Sequence, residues 1–450
     1  MTEQRFLHNQ WSSRLAFILA ASGSAIGLGN IWKFPYLAGD NGGGAFVLVY
    51  LFCVIGIGIP IMMAETLLGR RGRQSPINTM LTLAEEAKAS RAWHYAGWLG
   101  VVAGFLILSY YSVIAGWAMS YILKLGTGYM THITPDEATR VFDDLKSSWQ
   151  VQSIWHSLFM VVTMTIVSRG VSEGLELSNR YLMPLLFAML LLLDLYAMNS
   201  DGFGQGMIFL FNPDFSKLSG ESLLTAMGQA FFSLGLGMGS IMVYGSYLPD
   251  HVSIGRSSLI VAAADTLVAL LAGVAIFPIV FANHLEPTIG AGLIFQTLPI
   301  AFGQMPGGDI FGMLFFLLVF FAAITSAIAL IEPAVAWLSE NQGINRPTAC
   351  FWAGGLCWFL GLGTVFSFND LAGVTWFGKN LFELVDFLTA DLMLPAGGIL
   401  VALFAGWILR KEITEQELEM GEWYKYWLIL IRYVAPGAVA LVMLRALGVL

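Results

Sequence analysis

Charge is scarce in this chain: Asp, Glu, Lys and Arg supply only 12% of its 450 residues. Soluble domains carry about 25%, so an ordinary soluble globule is excluded. Cysteine is nearly absent. Cys53, Cys350 and Cys357 all fall inside apolar runs, where a thiol reads as a small buried hydrophobe. The six histidines are scattered without metal-ligand spacing. No catalytic triad, phosphate-binding loop or transition-metal cluster is visible, so no enzymatic chemistry is expected. No large soluble signalling segment is present, and neither nucleic acid nor an obligate protein partner is expected. The opening Met1–Gln10 is polar and lacks a cleavage-like small-residue motif, so no secretory signal peptide is expected.

What is present is hydrophobic sequence, at 57% of the residues and a mean hydropathy of +0.72. The apolar runs reach the ~20 residues needed to cross a bilayer and recur along the whole chain. They predict an all-α polytopic membrane protein with about eleven transmembrane helices. The spans lie near 12–38, 44–69, 93–124, 154–169, 174–198, 220–249, 256–283, 309–339, 347–367, 379–409 and 424–446. The net charge of -8 says little, because most charges sit between the runs. Basic residues set the orientation. Arg5, Arg14, Arg70, Arg71, Arg73, Lys88, Arg91, Arg169, Arg256, Arg346, Arg410 and Lys411 fall on connections of one parity; the opposite ones hold fewer, such as Arg140, Lys146 and Lys217. The positive-inside rule places the N-terminus in the cytoplasm, and an odd span count leaves the C-terminus outside the cell membrane. Among the outer connections, Thr127–Gln150 is polar, whereas Glu286–Gly308 holds an apolar stretch between Pro287, Pro299 and Pro306. The latter reads as a lid packed down into the protein, with interfacial lipid contact as the alternative.

Two spans carry interruptions. In the first, Gly23, Gly27 and Gly29 sit with Ser22, Ser24 and Asn30 in the middle of an apolar run. Glycine weakens a helix, and in lipid an open backbone is tolerated only where it lines an enclosed polar cavity. Residues near Ala25 to Gly29 are therefore expected to form an unwound hinge whose carbonyls hold a cation. In the sixth span, Gln229–Ser240 contains Gly235, Gly237 and Gly239. Paired interruptions in two halves point to the binding site of an inverted-repeat transporter. Gly23-x-x-x-Gly27 and Gly235-x-x-x-Gly239 also fit a small-xxx-small packing pattern, but packing alone has no need of the adjoining oxygen donors Ser24, Asn30, Gln229 and Ser233.

These residues carry a family resemblance. Gly23-Ser24-Ala25-Ile26-Gly27-Leu28-Gly29-Asn30, then Phe34-Pro35 and Asn41-Gly42-Gly43-Gly44-Ala45-Phe46, resembles the first-helix signature of neurotransmitter:sodium symporters. Ile59-Pro60 with Glu65 and Gly69-Arg70 is similar to the second helix, and Gly228-Gln229-Ala230-Phe231-Phe232-Ser233-Leu234 to the sixth. The resemblance implies a LeuT-like five-plus-five inverted repeat in one transporter unit spanning 1–450. The first repeat would be 12–198, the second 220–409, and 424–446 an additional helix. It further implies sodium-coupled symport of a substrate by alternating access. A membrane receptor or sensor that binds amino acids without moving them is the alternative; a channel is disfavoured because the breaks converge at the midplane.

By resemblance, one sodium site uses Ala25, Asn30, Ser233 and Asp265, and a second uses Gly23, Ile26, Ala322, Thr325 and Ser326. For Thr325 and Ser326, a hydroxyl back-bond to a carbonyl one turn earlier is the plain alternative. A carboxylate inside the membrane costs about 2.5–3.5 kcal/mol on insertion scales and is functional by default. Chloride-dependent members carry a serine four residues after Asp265, where this chain has Ala269. With Tyr50, Gln229 and Ser233 matching the rest of the family's chloride site, the Asp265 carboxylate is expected to replace chloride. Glu65 is expected to bond the backbone of the broken sixth helix.

Gly27 stands where amine transporters of the family carry an aspartate, which implies a substrate bringing its own carboxylate, hence an amino acid. That carboxylate is expected at Tyr111 and the amides of Leu28 and Gly29, beside Ser24, Ala25 and Ser233. Ile107, Phe232, Gly235, Met238, Ser326 and Leu330 would form the side-chain pocket. Gly235 and Met238 depart from the serine and phenylalanine of the family's leucine transporter and imply a larger, adaptable cavity. Broad use of hydrophobic amino acids follows, from leucine and valine to phenylalanine, tyrosine and tryptophan. Lys33 with Asp386 would form an outer gate, and Trp11 with Glu340 an inner one, with His8 standing where the family has an arginine and Arg5 as its substitute. In the fifth span, Gly174 and Pro184 would bracket a stretch that unwinds to admit water to the second sodium.

Overall fold

The computed structural model describes residues 10–285 and 292–449. Among them the chain is helical almost throughout, and β-structure is confined to the isolated bridges Gly43–Pro213 and Trp376–Lys379. Nine of the described helices are long and apolar enough to cross a membrane: Gly44–Gly72, Arg91–Gly126, Trp149–Ser168, Val171–Ala197, Ile254–Ala282, Gly308–Gln342, Arg346–Ser367, Leu381–Ile408 and Gly421–Ala446. A tenth span is the pair Arg14–Ala25 and Gly29–Asp40, bent by 54°. The expected sixth span is two short helices, Gly220–Ser233 and Ser240–Ser246, neither long enough to cross alone. The described residues therefore form an all-helical arrangement in which two spans are interrupted.

Local chemistry explains where the helices begin. Ser253 caps the seventh span through the Arg256 N–H at 3.4 Å. Asn345 caps the ninth through Thr348 N–H at 3.0 Å, supplying an acceptor for a donor that has no helical partner. The connection 127–150 contains the helix Pro135–Ser147, opened by a reciprocal Thr134–Glu137 capping box. Its Phe142 is buried and stacks on Phe295, with ring centroids 5.2 Å apart. Phe295 belongs to the second outer connection, whose residues 286–291, Pro287 included, lie outside the described residues. The described remainder packs inward: Ile294, Phe295, Leu298 and Phe302 are all buried. The two connections are tied by His132 N–H donating to Gly303 O at 2.8 Å and Gln304 Nε2 donating to Ile133 O at 3.1 Å.

The third and eighth spans pack along one another at the centre, with the two broken spans beside them. Close approach requires glycine in the third span. A Cβ on Gly100 would lie 3.1 Å from Gly239 N, and one on Gly104 would lie 3.1 Å from Leu330 O. On the side of the 70–73 connection, Arg70 pairs with Glu417 at 2.9 Å and donates to Val252 O at 2.7 Å, tying the end of its own helix to the helix Lys411–Leu418 and to the turn before the seventh span.

Candidate functional site

The first break is shorter than the sequence suggested. Ala25 is still helical because the Ile26 N–H reaches Ser22 O at 2.7 Å. The chain opens at Ile26, whose ψ is 104°, and coils again as a wide turn from Gly29 to Lys33. The interruption is therefore Ile26–Leu28. The sixth-span break is Leu234–Gly239, because Ser233 ends its helix. Gly235, Gly237 and Gly239 take φ values of +65°, +80° and +73°, a region that glycine enters without the penalty other residues meet. Glu65 Oε1 accepts the Gly237 N–H at 2.7 Å, the bond to the broken sixth helix anticipated above.

Both breaks open on one cavity of about 40 Å³. Its lining contains all twelve residues expected around a substrate, namely Ser24, Ala25, Leu28, Gly29, Ile107, Tyr111, Phe232, Ser233, Gly235, Met238, Ser326 and Leu330; Gly27 is the thirteenth. The Leu28 N–H points to Tyr111 Oη at 3.4 Å. Phe232, Tyr111, Leu28 and Gly29 also line a wider cavity of about 390 Å³, so they separate the two spaces.

Beside the cavity, Asn30, Ser233 and Asp265 form one cluster. Asn30 Nδ2 donates to Asp265 Oδ1 at 2.7 Å, and Ser233 Oγ donates to Oδ2 at 2.9 Å. The Tyr50 hydroxyl lies 3.0 Å from Ser233 Oγ and 3.4 Å from Asp265 Oδ2. Asn30 Oδ1 accepts the Gly27 N–H at 3.1 Å, which braces the opened backbone. Gln229 Nε2 donates to Gly29 O at 2.9 Å and so links the two broken spans. Ala269, four residues beyond Asp265, is fully buried and offers no hydroxyl.

A second oxygen cluster lies at the other end of the first break. Ser326 Oγ reaches Gly23 O at 3.3 Å and Ile26 O at 3.2 Å. Thr325 Oγ1 reaches Phe321 O at 3.2 Å and Ala322 O at 3.1 Å. The back-bond expected as the plain alternative is thus present for Thr325, while Ser326 instead faces the first break. Carbonyls and hydroxyls of this kind suit a hard alkali cation.

Known proteins share this all-helical, LeuT-like arrangement. The model of the sodium:neurotransmitter symporter family matches residues 8–135 and 138–449. The chain belongs to the sodium:neurotransmitter symporter family. An uncharacterised sodium-dependent transporter of Bacillus subtilis, YhdH, is 38% identical over 456 residues, spanning 100% of both chains. An uncharacterised sodium-dependent transporter of Haemophilus influenzae is 33% identical over 445 residues, 97% of each. The crystal structure of MhsT in complex with L-phenylalanine is 41% identical, with a TM-score of 0.90, covering 98% of this chain and 100% of that one. As a family member, this chain is a sodium-dependent, multi-pass membrane transporter of a small molecule, and not an enzyme.

The residues expected at the outer gate share one cavity. Lys33 and Asp386 line the same wide cavity, but no ion pair joins them among the described residues. The Lys33 ammonium sits 4.3 Å from the centroid of the Phe232 ring. A lysine lacks the planar fork that fixes an arginine on a carboxylate, and the ring face attracts the cation instead. On the opposite side, Trp11 Nε1 donates to Tyr244 O at 2.9 Å and its ring packs on Tyr244 and Tyr247. Glu340 accepts from Ser75 N and Asn78 Nδ2, both at 2.6 Å. His8 and Arg5 lie outside the described residues.

Glu332 and Asn179 are among the buried polar residues that sequence reasoning passed over. Glu332 accepts the Tyr247 hydroxyl at 2.6 Å and pairs with Arg346; its isolation inside an apolar run was the available signal. Asn179 is fully buried in the fifth span, inside the Gly174–Pro184 stretch that was singled out for other reasons.

Proposed function

We propose that this symporter imports hydrophobic L-amino acids, aliphatic and aromatic, together with two sodium ions and without chloride. The observation that supports this reading most strongly is the cavity at the two breaks, where position 27 carries no side chain. A Cβ there would stand 2.6 Å from Ser326 Oγ, so this position of the break offers no carboxylate of its own to an amine. The ligand must bring its own, toward Tyr111 and the backbone of Leu28 and Gly29. Ile107, Met238 and Leu330 then leave an apolar wall for its side chain. One methylene shifts discrimination in such a pocket by only about 1–3 kcal/mol, so selectivity is loose.

In this reading Ala25, Asn30, Ser233 and Asp265 hold one sodium next to the substrate carboxylate. Gly23, Ile26, Ala322, Thr325 and Ser326 hold the other. The Asp265 carboxylate, already bonded to Ser233 and within reach of Tyr50, provides the negative charge that chloride supplies elsewhere in the family. Sodium binding favours opening to the outside, substrate completes the first site, and inward release of the second sodium loosens the inner side. Each charge entering down a 100 mV inside-negative potential gains about 2.3 kcal/mol. The N-terminus is cytoplasmic and the C-terminus external, and residues 12–198 and 220–409 form the two inverted repeats, followed by the helix near 424–446.

Uptake into proteoliposomes with a panel of solutes tests this reading. Leucine, valine, phenylalanine, tyrosine and tryptophan should compete for one pathway, with affinities spread over no more than about 100-fold. Replacing chloride by gluconate should leave rates unchanged. A preference for amines lacking a carboxylate, or a strong chloride requirement, contradicts it.

A further inference from the structure

The amide of Asn179 has one satisfied end. Its Nδ2 donates to Leu175 O, one turn earlier, at 2.8 Å. Its Oδ1 is buried and accepts no hydrogen bond. Turning the amide over would set oxygen against the Leu175 carbonyl and lose the one bond it makes, so the orientation is fixed by chemistry. The free oxygen faces Gly23: a Cβ built on Gly23 would lie 2.1 Å from Asn179 Oδ1 and 3.1 Å from Thr325 Cβ. The amide oxygen therefore stands against the same Gly23–Thr325 contact whose carbonyl and hydroxyl belong to the second oxygen cluster. A Cα–H contact with glycine is a weak substitute for a true donor, and buried acceptors are as a rule satisfied.

We propose that Asn179 belongs to this cation site and that its Oδ1 gives the ion an oxygen from the fifth span. The inference rests on reading Gly23, Ile26, Ala322, Thr325 and Ser326 as sodium ligands. It adds a mechanical consequence. The fifth-span helix packs against both the first and the eighth spans, so an ion held by all three ties them together. When the ion leaves, the Asn179 oxygen loses its partner inside the Gly174–Pro184 stretch, and that stretch loosens. Gly23 is glycine because a side chain would displace this oxygen.

The test is binding of radioactive sodium to the purified full-length chain, with hydrogen–deuterium exchange of residues 171–184 in sodium and in potassium. Asn179→Ala should lower sodium affinity about tenfold, as for loss of a bond to a charged group, and abolish sodium-dependent protection of that stretch. Asn179→Asp, which keeps an oxygen there, should retain binding. Asn179→Leu preserves volume without the oxygen and carries the alanine expectation should that variant misfold. Wild-type affinity and protection in Asn179→Ala, with affinity lost in Thr325→Ala, overturns the inference and leaves the site reading intact. Wild-type affinity in both variants overturns the site reading and the inference with it.

Discussion

A Cβ at Gly27 would stand 2.6 Å from Ser326 Oγ and 3.1 Å from Tyr111 Oη. Those two hydroxyls face the space in which the substrate head group is expected, so Gly27→Ala should weaken amino-acid binding at least tenfold, an effect of about 1.4 kcal/mol or more. Radioligand binding to purified protein checks this, read beside thermal stability so that a general loss of folding is told apart from a change at the site. Asp265→Asn acts differently. It removes a charge from the Asn30–Ser233–Tyr50 cluster and should reduce sodium affinity more than tenfold, as for truncation of a buried charged hydrogen bond; sodium titration of uptake reads it. Much of this cluster was legible in sequence, since Asn30, Ser233 and Asp265 are polar residues in apolar runs and have few other reasons to be there. Tyr50 was visible only through the resemblance. Asn179 was hidden because a single amide in a helix is as readily a back-bonded residue as a ligand, and only its unpaired oxygen distinguishes the two. The place of the Lys33 ammonium on Phe232 was not legible, because sequence matching transfers positions but not rotamers, and an ammonium has several places to rest.

At the scale of the element, the two breaks were legible from glycine clusters, while their ends were decided by single hydrogen bonds such as Ile26 N–H to Ser22 O. The sixth-span break gives a sharp contrast between two glycines. Gly237 has φ +80°, and a Cβ there would lie 2.4 Å from Leu394 O. Gly237→Ala should therefore lose about 2 kcal/mol or more, from the left-handed conformation alone and then the clash. Gly228 is helical, and its Cβ would meet Val442 Cγ1 at an ordinary 3.5 Å. Gly228→Ala should be neutral or stabilise by about 0.5–1 kcal/mol. Thermal denaturation in detergent separates the two. In the fifth span, residues 171–176 form a wide turn and Pro184 sits inside the following helix. Pro184→Ala restores a backbone donor and should slow inward sodium release, measured as delivery of radioactive sodium into proteoliposomes; an unchanged rate would count against unwinding of this stretch.

For the whole molecule, the eleven apolar runs were readable because lipid demands long, uncharged helices. Their edges shifted by a few residues where caps and amphipathic turns extend them, as at Trp149 and Gly421. The inward packing of the 293–304 segment was readable from its apolar residues. Its hydrogen bonds to the 127–150 connection were not, because such long-range pairing leaves no local pattern. In the proposed symport one enclosed site, built from both broken spans, holds ion and amino acid together. Binding of the two must then be linked, each strengthening the other by the same factor. The most direct measurement is the affinity for phenylalanine, by calorimetry on the purified protein, as sodium is exchanged for potassium at constant ionic strength. Affinity should rise steeply with sodium, and the dependence should vanish in Asp265→Asn; an affinity independent of sodium would rule out a shared site.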